Sequence, residues 1–280
     1  MKLSKKELLA FLAVALLFIL VQAKGLTHIA PGDENVYYYM AKSLSEGKLP
    51  YRDFFYAHPP LHIFILAIFI KIFGVDFFIL KSAALFSLLT ASFFLYKTAL
   101  ELYKNRLNEK YAGIISALAL ILFLFSFEVM FKATFSMGIN FSLMFLMISF
   151  YLIFTEKYFS GGIFAGLAGL TRFYTLAPVS AVFIFIVVKK VQENKIKDFL
   201  YLILGFFITF GVTISLLFIT FSNNFFEPVF KYHLLKPKLP GKRIIVYTGV
   251  LKENLVIFFA FLSSIFITCL WGVSPIRLIH

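Results

Sequence analysis

The sequence has few of the features that a soluble enzyme needs. Only 15% of its 280 residues are charged and 61% are hydrophobic. A soluble fold of this size could not hide so much apolar surface, so lipid is the expected solvent for most of the chain. The single cysteine, Cys269, excludes an intrachain disulfide and gives no indication of the redox compartment. The spacings typical of zinc sites, P-loops and dinucleotide-binding loops are also missing.

The positive charge does not indicate nucleic acid as a partner. The formal net charge is +13, but the lysines and arginines cluster in the segments between apolar runs. In that position basic residues set membrane topology. We therefore expect no nucleic-acid partner and a close association with membrane lipid.

The apolar runs predict an all-α polytopic membrane protein, with residues 1–280 forming a single integral membrane domain of about eight transmembrane helices. Lysines before the first run place the N-terminus in the cytoplasm, and about eight spans return the C-terminus to the same side; the cell membrane is the expected location. A cleaved signal peptide is the alternative for the first run. The predicted spans are Leu8–Val21, Phe77–Tyr96, Tyr111–Met130, Met137–Thr155, Gly161–Tyr174, Pro178–Val188, Phe199–Phe221 and Asn254–Trp271.

The segment 24–76 is predicted to be a long outer loop that contains two amphipathic juxtamembrane helices. The first covers Asp33–Ser45, where acidic residues in the first turn favour the helix dipole. The second covers Leu61–Phe73 and follows Pro59 and Pro60. It has 13 residues, whereas a span needs about 20, so we expect it to lie on the membrane surface.

A second outer loop, 222–253, is unusually basic for that side of the membrane. Lys231, His233 and Arg243 fall in it. Basic residues on the outer side need a reason other than topology, and an anionic ligand would supply one. Binding of lipid headgroups is the alternative explanation for each of these residues.

Four blocks of motifs lie along the chain: Gly32-Asp33-Glu34 with Tyr37, Pro50-Tyr51 with Asp53-Phe54, His58-Pro59-Pro60-Leu61, and the run Gly166 to Arg172. Together they resemble motifs of the polyprenyl-phosphate-sugar-dependent glycosyltransferases of the GT-C fold. This superfamily includes the protein O-mannosyltransferases and the aminoarabinose transferases of lipid A. A weaker likeness covers Asn224 to Pro228. Because members of the superfamily are usually longer, we expect a minimal member, a fragment or a protein completed by a partner chain.

The resemblance implies an inverting hexosyltransferase that moves a sugar from polyprenyl phosphate to a hydroxyl-bearing protein, lipid or glycan on the outer face. It implies Asp33 as the catalytic base with Glu34 as helper or second candidate. Tyr37 and Tyr51 would contact sugar or acceptor. No cofactor is expected, although a divalent metal beside the two carboxylates stays open. The donor phosphate would be held by Arg172, His58, Lys231, His233 and Arg243.

Other interpretations stay open for the same residues. Asp33 and Glu34 could simply stabilise the N-terminal end of their helix through its dipole. Arg172 could extend to the lipid headgroups, and the tyrosines could belong to the interfacial aromatic belt. For the whole chain the alternatives are a lipid or solute transporter and a non-catalytic subunit of a larger glycosyltransferase. A transporter predicts internal repeats, and the Asp33–Glu34 loop has no counterpart later in the sequence.

Overall fold

The computed structural model describes residues 3–29, 32–104 and 107–235. Within these ranges every regular element is helical, and the sole strand-like pairing is an isolated bridge between Pro50 and Phe54. The helices are α1 (Lys5–Thr27), α2 (Asp33–Ser45), α3 (Leu61–Phe73), α4 (Phe77–Lys104), α5 (Glu109–Leu124), α6 (Phe127–Lys132), α7 (Ile139–Phe154), α8 (Tyr158–Thr171), α9 (Leu176–Gln192), α10 (Ile196–Phe206), α11 (Val212–Phe221), α12 (Asn223–Phe226) and α13 (Tyr232–Leu235).

The chain is a multi-pass membrane protein. Four helical stretches in the described residues are long and apolar enough to cross a bilayer: Lys5–Thr27, Phe77–Lys104, Phe173–Gln192 and Ile196–Phe221. They contain four of the eight predicted spans. The predicted spans at 137–155 and 161–174 correspond to the shorter apolar helices α7 and α8. The last predicted span, 254–271, lies outside the described residues.

The two helices α2 and α3 have the bounds that the sequence predicts. The helix α2 begins with Asp33 in its first turn, and the chain leaves it through Gly47 at a φ of 94°. The helix α3 follows the two prolines and ends at Gly74, whose φ is 84°. These glycines adopt a left-handed backbone conformation that other residues reach only with strain.

Two predicted spans are interrupted in the structure. The apolar run 111–130 is divided between α5 and α6, because the chain turns at Phe125 and Ser126, whose hydroxyl donates to the carbonyl of Phe123. The run 161–188 is broken as predicted: Arg172 is extended and a 3-10 turn, Phe173–Thr175, leads into α9. The predicted basic loop also begins as helix, since residues 223–235 form consecutive short helical segments.

The main bundle forms a series in which α4 packs on α7, α7 on α8, and α8 on α10. The helices α1 and α5 pack on α4, α3 contacts both α4 and α8, and α2 contacts α4 through the Glu34–Lys81 ion pair. Helices α8 and α10 cross at Gly162 and Gly205, where an added Cβ would overlap the backbone of the facing helix. Small residues allow such close contact between helices in a membrane. This packing places the α2–α3 pair beside the C-terminal end of α8, where Arg172 lies.

Candidate active site

The carboxylate of Glu34 is buried, and both of its oxygens are hydrogen-bonded. One oxygen accepts a hydrogen bond from the Lys81 ammonium at 2.8 Å, and the other accepts from the Tyr38 hydroxyl at 2.7 Å and the Ser136 amide at 2.9 Å. Glu34 is 5% exposed and Lys81 is 1% exposed. These contacts join α2 to α4 and to the segment before α7. Three hydrogen bonds from protein groups therefore hold this carboxylate in place.

Asp33 has the opposite environment. Its side chain is exposed, and within the described part of the chain it forms no hydrogen bond or ion pair. It lies in the first turn of α2, four residues before Tyr37. Residues at this spacing share one face of a helix, with Cβ atoms about 6 Å apart. The Asp33 carboxylate is thus accessible to a ligand and lies one turn from the tyrosine.

Tyr37, His58 and Arg172 meet beside the start of α3. The guanidinium of Arg172 lies over the Tyr37 ring, 5.0 Å from its centroid. The Tyr37 hydroxyl and the His58 Nε2 are 3.0 Å apart. Three separate parts of the sequence thus form one cluster, and the contacts fix the ring of Tyr37 between the two basic groups.

Arg172 brings a buried positive charge to this cluster. It is 7% exposed, its guanidinium donates to the Met137 carbonyl, and its Nε has no hydrogen-bond partner in the described residues. No carboxylate forms an ion pair with it in that part of the chain. A buried cation without a counterion is costly, so the site is suited to an anionic ligand.

Two further polar side chains beside Arg172 were missed by the sequence interpretation. The ring nitrogens of His62 and the hydroxyl of Tyr56 are buried without hydrogen-bond partners among the described residues. Burial, with the positive charge of Arg172, lowers the pKa of His62 well below its usual range. Burial raises the pKa of Tyr56. At neutral pH the His62 imidazole and the Tyr56 hydroxyl are therefore uncharged, so neither adds to or cancels the positive charge of Arg172.

Gly138 closes the back of the cluster. Its φ is 81°, and an added Cβ would lie 2.9 Å from both the Arg172 Nε and the His62 Cγ. Nothing in the sequence marks Gly138 as part of a site.

Lys81 and His62 could have been recognised from the sequence, because a charged or polar residue within an apolar helix usually has a specific partner or function.

A cavity of about 400 Å³ opens at this cluster. Arg172 and His58 both line it, so the structure brings together two of the predicted phosphate-binding residues. The rest of its wall is mainly apolar and comprises Ala57, Pro59, Phe173, Tyr174, Val229 and Phe230. We refer to it as the Arg172 cavity.

The other predicted site residues lie elsewhere. Tyr51 is buried, and its hydroxyl donates to the His58 carbonyl at 2.6 Å. Lys231 lines a different cavity and forms an ion pair with Glu227 at 3.0 Å. The side chain of His233 and the whole of Arg243 lie outside the described residues. In the described ranges no group of three or more His, Cys, Asp or Glu side chains is arranged to hold a metal.

Comparison with known proteins gives one match. The model of the dolichyl-phosphate-mannose-protein mannosyltransferase family matches residues 57–218, more than half of the chain. The matched region begins just before His58 and contains Arg172, whereas Asp33 and Glu34 precede it. No curated protein and no solved structure matches the chain.

Proposed function

The chain belongs to the dolichyl-phosphate-mannose-protein mannosyltransferase family, and from this premise we propose that it transfers a hexose from a polyprenyl-phosphate donor to a hydroxyl group on the outer face of the cell membrane. Membership makes it a membrane glycosyltransferase of the mannosyltransferase-like type. The identity of the donor, the identity of the acceptor and the inversion of configuration at the anomeric carbon are proposals that go beyond family membership.

The observation that carries the proposal is the buried Arg172 in a cavity shared with His58. Its guanidinium forms no ion pair in the described residues and is held against the Tyr37 ring. A phosphate would supply the missing negative charge and accept parallel N–H bonds from the planar guanidinium. The apolar remainder of the cavity strengthens this attraction, because charges interact more strongly where water is excluded.

Asp33 is the proposed base. In an inverting transfer the acceptor oxygen attacks the anomeric carbon, the bond from that carbon to the phosphate oxygen breaks, and polyprenyl phosphate leaves. The acceptor's proton goes to the carboxylate. The exposed side chain of Asp33, one turn from Tyr37 on α2, supports this role. The leaving phosphate is stabilised by Arg172, so no general acid is required.

Glu34 is proposed to position α2 instead of taking part in proton transfer. Its carboxylate already accepts bonds from Lys81, Tyr38 and Ser136. Removing it from these partners would leave the buried Lys81 uncompensated. Tyr37 is proposed to support the Arg172 guanidinium, and Tyr51 to hold the loop through the His58 carbonyl.

The test is sugar release from polyprenyl-phosphate hexoses by the purified protein in lipid nanodiscs. We expect Asp33→Asn to lower turnover by about two orders of magnitude or more while donor binding is kept. Arg172→Gln should weaken donor binding itself. Glu46→Gln is the matched control, since Glu46 is an exposed carboxylate at the end of the same helix. Equal turnover in Asp33→Asn and wild type would remove Asp33 from the reaction.

A further inference from the structure

A second cavity, of about 600 Å³, lies beside the Arg172 cavity. One of its walls is the turn 51–55, and the other is the helical segment 223–235. The two cavities share a partition: Pro228 and Lys231 face the second cavity, while Val229 and Phe230 face the Arg172 cavity. Tyr51 lines the second cavity and holds the His58 carbonyl. The two cavities therefore lie on opposite sides of one short helical segment.

The charges in the second cavity compensate one another. Arg52 donates to both carboxylate oxygens of Asp53, at 3.0 and 2.8 Å. Lys231 pairs with Glu227 at 3.0 Å. The lining thus contains two cations and two anions, each with a partner of opposite sign. Arg52 also lowers the pKa of Asp53 to about 2, so this balance holds across the physiological range. The cavity has no net charge with which to attract an ionic ligand.

The lining also has exposed neutral groups beside these ion pairs, whose charged side chains are exposed as well. Asn223 and Asn224 are exposed in the cavity wall, and each amide offers two donors and an acceptor. Phe55 and Tyr232 are exposed aromatic residues whose rings meet edge to face, with centroids 5.4 Å apart. A sugar combines hydroxyl groups around its edge with C–H bonds on its faces. Amides beside exposed aromatic rings match both parts of that surface.

A polypeptide would find fewer partners here. Extended peptides bind by pairing with free backbone groups at a sheet edge. Two amides of the turn are already paired, since the Tyr51 amide donates to the Phe54 carbonyl and the Asp53 amide to the Leu49 carbonyl. The exposed amide side chains of Asn223 and Asn224 offer further partners, which suit hydroxyl groups.

We propose that the second cavity binds a neutral glycan and presents one of its hydroxyl groups to the Arg172 cavity as the acceptor. This proposal rests on the proposed function and names the class of acceptor for the same reaction. It places Asn223, Asn224, Phe55 and Tyr232 as specificity-determining residues, and it assigns Lys231 to the acceptor side.

The test measures binding and transfer separately, with the full chain in nanodiscs. Saturation-transfer NMR would record the binding of maltotriose, cellotriose and mannotriose, beside a serine- and threonine-containing hexapeptide and an oligosaccharide with glucuronic acid. We expect at least one neutral trisaccharide to bind, and the peptide and acidic glycan to bind more weakly. Asn224→Ala and Phe55→Ala should weaken trisaccharide binding about tenfold, as expected for the loss of one or two polar or stacking contacts.

The matched control is Phe73→Ala, which removes an exposed phenylalanine at the end of α3 and should change neither binding nor turnover. In the transfer assay, Asn224→Ala should lower the ratio of sugar transfer to donor hydrolysis about tenfold. Trisaccharide binding that is unchanged in both cavity variants, or a wild type that binds only the peptide, would overturn the glycan proposal. Donor hydrolysis without trisaccharide binding would overturn it while leaving the proposed function intact. Trisaccharide binding without any donor hydrolysis would contradict the proposed function, and with it the acceptor role, while leaving glycan binding in the second cavity in place.

Discussion

Asp33 and Glu34 are neighbours in the sequence, but their environments differ because successive helical residues point about 100° apart. One carboxylate is exposed and the other is buried against Lys81. The sequence alone treated them as a pair of catalytic candidates, since nothing local distinguishes them. The difference depends on a lysine 47 residues further along the chain, which no local pattern could connect to Glu34. The grouping of Arg172 with His58, in contrast, followed from motifs that the sequence does contain.

The buried Glu34–Lys81 pair yields the first prediction. Glu34→Gln should destabilise the protein by about 3–5 kcal/mol, because it leaves the Lys81 ammonium buried without its counterion. The double variant Glu34→Gln, Lys81→Met removes both charges and should recover most of that loss. Thermal unfolding in nanodiscs would measure both. Equal instability of the single and double variants would show that the pair is not the source of the effect.

His62 gives a prediction about pH. Its pKa is lowered in the folded protein by burial and by the charge of Arg172, with a further contribution from His58. The unfolded chain, whose histidines titrate near about 6.5, then binds more protons than the folded one below that pH. The contribution of neutral His62 to the free energy of unfolding is therefore present above pH 6.5 and is lost as the pH falls below that value. We expect the unfolding temperature to fall on acidification in the wild type.

In His62→Gln the decline in unfolding temperature below pH 6.5 should be shallower, because glutamine does not titrate. His28→Gln is the matched control, since His28 is an exposed histidine that follows α1, and it should keep the wild-type slope. A slope that is the same in the His62 variant would remove His62 as the titrating group.

The helices show which structural signals the sequence contains. The bounds of α2 and α3 were predicted correctly because acidic residues, prolines and glycines mark their ends. The break between α5 and α6 was missed, because the run 111–130 is mainly apolar despite Glu128, and its mean hydropathy does not register the turn at Ser126. The crossing of α8 and α10 was also missed, because Gly162 and Gly205 are 43 positions apart (205 − 162) and only the fold brings them together.

The α8–α10 crossing yields a prediction at this scale. Gly162→Ala should lower stability by several kcal/mol, since its methyl group would overlap the backbone of α10 and the helices would have to separate. Gly113→Ala is the matched control, because its Cβ would meet no atom within 4 Å. That substitution should be neutral or stabilising by up to about 1 kcal/mol through helix propensity. Detergent-dependent unfolding of both variants would measure the difference, and equal stability would contradict the close crossing.

For the whole molecule, the sequence predicted the class of protein because apolar length and basic loops are global properties of the chain. It could not count the spans with the same accuracy. Helices such as α7 and α8 are shorter than a full crossing and are buried among their neighbours. Their apolar character therefore reflects protein packing as much as contact with lipid. The proposed active site lies at the end of one of these short helices, because Arg172 directly follows α8.

Membrane topology gives the prediction at this scale. In a Cys269→Ser background, Glu46→Cys and Gln192→Cys each place one exposed thiol in a connecting region without removing a lysine. The basic residues around position 192 predict the cytoplasmic side. We expect a membrane-impermeant maleimide to label position 46 in intact cells and position 192 only after permeabilisation. The reverse pattern would place the proposed active site in the cytoplasm.

The Glu34–Lys81 contact also has a consequence for biogenesis. Lys81 is the fifth residue of α4, near the end that the predicted topology places outside, where a lone positive charge would oppose correct insertion. Its counterion comes from α2, which is synthesised earlier. The segment that contains α2 must therefore already be across the membrane when α4 inserts. We expect α4 to reach its final orientation only once the Glu34 carboxylate has paired with Lys81. The ion pair would then fix the orientation of α4 during synthesis.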